Sequence, residues 1–138
     1  VLATAIYAFN LLAFAFLLWR GRCADRIAVA AFALAIVAEP LVGALTVGSW
    51  RAGTSGLNLV LFVIVWWLAE RADRWWLVFV ASAQFVIVAT HAMPLLSENA
   101  ILWSGIALRN GLYVLISLLF LVGAFEAWAD RRIRTGAR

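Results

Sequence analysis

The sequence predicts an all-α fold: a polytopic bundle of five transmembrane helices, with the N-terminus outside and the C-terminus inside. Three observations carry that prediction. Hydrophobic residues make up 67% of the 138, charged residues only 13%, and the mean hydropathy is +1.01. A soluble domain of this size cannot hide so much apolar surface. The apolar residues fall into five long runs separated by short polar links, too long and continuous for the alternation of a barrel. The arginines are divided unequally between alternate links. One membrane domain occupies 1–138.

The first run covers 2–19 and the second 27–48. The third, 54–69, is only about 24 Å of helix, shorter than a hydrocarbon core of about 30 Å. Four spans plus a re-entrant or interfacial segment is therefore the alternative to five. The fourth run covers 75–93 and the fifth 101–128, with 129–138 left as a cytoplasmic tail. As one helix the fifth run reaches about 42 Å, so tilt or a break at Gly105 or Gly111 is expected. Links this short force neighbouring helices to lie antiparallel.

All eleven basic residues are Arg. Arg20, Arg22, Arg26, Arg71, Arg74, Arg131, Arg132, Arg134 and Arg138 share one face if there are five spans, leaving Arg51 and Arg109 opposite. That asymmetry places the first group inside. Trp19, Trp66, Trp67, Trp75, Trp76 and Trp128 map to the inner boundary, Trp50 and Trp103 to the outer, as an interfacial belt. Dispersed arginines without a soluble basic module point to an anionic membrane face, not nucleic acid. The single cysteine, Cys23, permits no disulfide within the chain and is expected on the reducing side. The chain opens on Val1, and no charged segment or cleavage site precedes the first run, so no signal peptide is expected.

Glu39-Pro40 is the most informative pair. A carboxylate inside an apolar run is expensive, and Pro40 leaves the carbonyl of Ile36 without its helical partner. Counting along the helices brings Glu39, His91 and Arg109 to similar depth in the outer half, with Gln84 and Asn110 nearby. Pairing of Glu39 with Arg109 lowers the cost of both, whether as a structural salt bridge or as a site handling protons, ions or an anion. Small residues Ala28, Ala31, Ala35 and Gly43 line one side of the second helix. They are expected to meet the face of the fifth that carries Asn110, Ser117 and Ala124. Asn10 and Asn58 are expected to hydrogen-bond between helices.

No Gly-rich phosphate loop, His-Glu-x-x-His, Gly-x-Ser-x-Gly or Cys pair is present, and one histidine excludes multi-histidine metal centres. No catalytic or metal-ligating residue is assigned. Bound lipid is the ligand such a chain invites; a pigment or haem at His91 is the lesser alternative, because a second axial ligand is missing.

The stretch Ala72-Asp73-Arg74-Trp75-Trp76, followed by Gln84-Phe85 and Ala89-Thr90-His91, resembles small polytopic inner-membrane proteins of alphaproteobacteria, sphingomonad type. The resemblance covers about 25–132. It implies location and architecture and transfers no site residue.

These features suggest an accessory or structural subunit of a larger inner-membrane complex, more in keeping with a non-enzyme. A small oligomeric transporter or proton-handling protein using Glu39, His91 and Arg109 is the alternative. A membrane enzyme acting on a lipid or isoprenoid ranks third, for want of a nucleophile.

Overall fold

The computed structural model describes residues 2–96 and 102–136, and the chain there is helical with no strand among the described residues. Its elements are α1 (Leu2–Arg20), α2 (Cys23–Val42), α3 (Ala52–Arg71), α4 (Trp75–Leu96) and α5 (Leu102–Gly136). Three of them, α3, α4 and α5, are long and apolar enough to cross a membrane. Every eighteen-residue stretch of α2 contains Asp25, Arg26 and Glu39, which sets it apart. Most of the fourth link, Arg138 and the side chain of Trp103 lie outside the described residues.

Helix boundaries move in three instructive places. α2 stops at Val42, not Gly48. Pro40 has no N–H to donate, so the helix ends within a turn of it. The chain then makes a tight turn in which Val47 and Trp50 exchange backbone hydrogen bonds of 2.9 and 3.1 Å. Gly48 sits at φ +61°, a conformation glycine adopts without the steric penalty of a side chain. α3 begins at Ala52 and is 20 residues long, about 30 Å, so its expected shortfall disappears. α5 is one helix of 35 residues, about 52 Å, passing through Gly105 and Gly111 without a break. It also takes up the expected tail as far as Gly136.

Each helix packs on its neighbours in sequence, and α1 closes the ring against α5. The expected face-to-face packing of α2 on α5 is therefore not what forms. The two meet across the centre through Phe32 and Phe120, whose rings stand edge-on at 5.0 Å. Ala28 is buried and Ala31 and Ala35 are half-buried against this core, while Ser117 faces α1, accepting a 2.9 Å hydrogen bond from Asn10 Nδ2.

Phe120 is the hub. Phe14 of α1 and Trp76 of α4 also pack on its ring, at 4.7 and 5.4 Å. Trp76 is 1% exposed, a correction to its expected place in the interfacial belt. Consecutive helical residues point about 100° apart, so Trp75 faces outward while Trp76 faces the core. The indole has room because position 123 is glycine: a Cβ there would lie 2.7 Å from the ring.

Candidate functional site

Two polar constellations occupy opposite ends of the bundle. At the end where α2 gives way to α3, Glu39 sits in the last turn of α2, and its carboxylate is reached from the following segment. Arg51 Nη2 lies 3.4 Å from Oε1, and Thr54 Oγ1 donates to the same oxygen at 3.0 Å. No ion pair joins Glu39 to Arg109 among the described residues; the expected partner is displaced by Arg51. The reason is local: with α2 ending at Val42, the returning chain brings Arg51 to the helix end before α5 can compete. Gly43 leaves space for the guanidinium, 3.2 Å from where a Cβ would stand.

His91 of α4 is buried. His91 Nε2 has no hydrogen-bond partner among the described residues. Its carbonyl accepts a 3.1 Å bond from Trp50 Nε1, which ties the turn between α2 and α3 to α4. Among the described residues, no hydrogen bond or ion pair joins Glu39, His91 and Arg109 to one another; Glu39 is engaged by Arg51 and Thr54 instead.

Gln84 lies deeper and joins the cluster through α3. Its Nε2 donates 2.9 Å to Asn58 Oδ1, and Asn58 Nδ2 donates 2.9 Å to the Thr54 carbonyl. Gln84 is fully buried, yet its Oε1 is unpartnered. Asn110 is exposed on α5 and makes no side-chain hydrogen bond in this network among the described residues.

The second constellation escaped the sequence reading. Arg74, counted above as a surface arginine, is 3% exposed. Its guanidinium reaches Asp25 of α2 at 3.1 Å, and Glu126 and Asp130 of α5 at 3.0 and 3.1 Å. Asp25 is completely buried. One of its oxygens also accepts the Arg22 N–H at 2.8 Å, and the other accepts Trp76 Nε1 at 3.2 Å. Both oxygens of this carboxylate are engaged, by three donors in all, which offsets much of the cost of burying the pair, although Arg74 Nε has no partner among the described residues. The planar fork of Arg suits a bridge between two helices in a way a lysine ammonium would not. One available signal was the spacing of Glu126 and Asp130: four apart, they share a helix face.

No three His, Cys, Asp or Glu side chains are placed to hold a metal ion among the described residues. The chain matches no protein-family profile, no curated protein and no solved structure.

Proposed function

We propose that the chain is a five-span protein of the bacterial inner membrane, N-terminus outside and C-terminus inside, serving as an accessory subunit of a larger membrane complex. Three apolar helices of sufficient length support membrane insertion. Between Asp25-Arg26 and Glu39, α2 carries no charge, so its charged groups would lie at the two faces. The start of α2, the link between α3 and α4 and the arginine-rich last turns of α5 meet at Arg74 and its acids, in keeping with one cytoplasmic face. The inner-membrane assignment draws on the resemblance to small alphaproteobacterial membrane proteins.

The observation that carries the subunit reading is the use made of the interior. The centre is closed by Phe14, Phe32, Trp76 and Phe120, and the deepest charges bind one another. Such an interior holds the bundle together and leaves its work to the outside. There α2 presents Leu34, Val37 and Leu41, 70 to 76% exposed, at the i, i+3, i+7 spacing of a helix-packing ridge. Gentle extraction followed by native mass spectrometry is expected to show a larger assembly at fixed stoichiometry. Val37→Lys should break that assembly while leaving the monomer folded. Recovery of the chain only as a monomer would defeat the reading.

A second reading, a small oligomeric proton or ion carrier, is favoured by one observation: buried His91, whose Nε2 has no partner among the described residues, is tied through Trp50 to the turn that carries Arg51, the partner of Glu39. Proton flux in liposomes that is lost in both Glu39→Gln and His91→Gln would establish it.

A further inference from the structure

We propose that the arginine-rich end of the bundle binds the phosphate headgroup of an anionic phospholipid, in the cleft between α1 and the last turns of α5. The cleft has a volume of about 620 Å³. Its walls are Trp19 and Arg20 on one side, and Trp128, Arg131, Arg132 and Arg134 on the other. No carboxylate lines it among the described residues.

The segregation of charge follows from helix geometry. Trp128, Arg131, Arg132 and Thr135 stand at i, i+3, i+4 and i+7, so they share one face of α5. Glu126 and Asp130 occupy another face and are held by Arg74. The acids that could neutralise the cleft arginines are thus directed elsewhere. Among the described residues, no ion pair engages Arg20, Arg131, Arg132 or Arg134.

The aromatic walls give the guanidinium groups a support. Arg20 lies over the Trp19 ring at 4.1 Å and Arg132 over the Trp128 ring at 4.5 Å. Stacking fixes each guanidinium by its face and leaves its N–H edge free for phosphate oxygens. Depth agrees with a lipid. Trp19 and Trp128 end their apolar runs, where tryptophans settle at the headgroup boundary. Phe16, one turn deeper on α1, offers an apolar wall for the start of an acyl chain. A soluble anion would use the arginines but not this gradient.

The proposal rests on membrane insertion but not on the accessory-subunit reading. The test is native mass spectrometry of the detergent-extracted, delipidated protein, titrated with phosphatidylglycerol, phosphatidylcholine or inorganic phosphate. Phosphatidylglycerol should be retained at one site at least about tenfold more tightly than phosphatidylcholine. The Arg20→Gln/Arg131→Gln double variant should lose that preference, given roughly 1 kcal/mol, a factor of about five, for each basic residue near anionic lipid. Arg26→Gln/Arg71→Gln removes equal charge from exposed positions at the same end and should keep it. Unchanged melting of both double variants confirms that folding is not the cause. Equal binding of the two lipids, equal loss in both double variants, or inorganic phosphate binding as tightly as phosphatidylglycerol would each overturn the site. Failure of both lipids to bind would overturn the site and count against membrane insertion itself.

Discussion

Arg74 is the residue on which the fold depends most. It sits between α3 and α4, yet binds α2 through Asp25 and α5 through Glu126 and Asp130. Removing it would leave Asp25 as an uncompensated charge at zero exposure. Arg74→Gln is therefore expected to destabilise the bundle by about 3–5 kcal/mol, measured by chemical unfolding in detergent. Arg74→Lys should recover only part of that, because one ammonium cannot reproduce the forked contacts. The Asp25→Asn/Arg74→Gln pair should be less damaging than the sum of its singles. Glu39 makes the opposite case. Its side chain is 38% exposed and that of Arg51 60%. A pair so open contributes at most about 1 kcal/mol. Glu39→Gln should leave melting nearly unchanged, and a large loss would show that the carboxylate is more deeply engaged than Arg51 and Thr54 account for.

At the scale of elements, α4 fits closely on α5 where Trp76 lies over Gly123. The indole cannot easily retreat, since its Nε1 is bonded to Asp25 and its ring is packed on Phe120. Gly123→Ala should thus cost roughly 1–3 kcal/mol through overpacking, despite the better helix propensity of alanine. Tryptophan fluorescence should shift if Trp76 is expelled. The number and order of helices were legible in the sequence because apolar runs and the arginines between them are local signals. The Glu39–Arg51 pair was not, because it depends on where α2 ends. Reading the run to Gly48 placed Glu39 mid-helix and directed it to Arg109; three residues from the helix end, it meets Arg51 first. Trp76 and Arg74 were misplaced for a related reason. They lie beside Trp75 and Asp73, which are exposed, and composition cannot tell which of two adjacent residues turns inward. The Asn10 and Asn58 hydrogen bonds were easier to anticipate, since a lone amide in an apolar helix has little else to do.

For the whole molecule the decisive quantity is which end faces the cytoplasm. The proposed orientation follows the arginines, but Arg74 is buried among acids and cannot meet headgroups. The remaining bias still favours that end: Arg20, Arg22, Arg26 and Arg71 stand there with Arg131, Arg132 and Arg134 of α5, against Arg51 and Arg109 at the other. Two positions test the orientation without disturbing the core. Cys23 is the only thiol, is exposed, and lies at the start of α2 beside the proposed inner face. Ser49 is exposed in the tight turn after Gly48, at the opposite end. In intact cells a membrane-impermeant maleimide should leave Cys23 unlabelled and should label it after lysis. With Cys23 replaced by Ser, a Ser49→Cys variant should be labelled in intact cells. The inverse pattern would reverse the molecule in the membrane and carry the arginine cleft to the outside. Labelling of both positions in intact cells would mean that the two ends are not separated by a bilayer, and the five-span arrangement would fall with it.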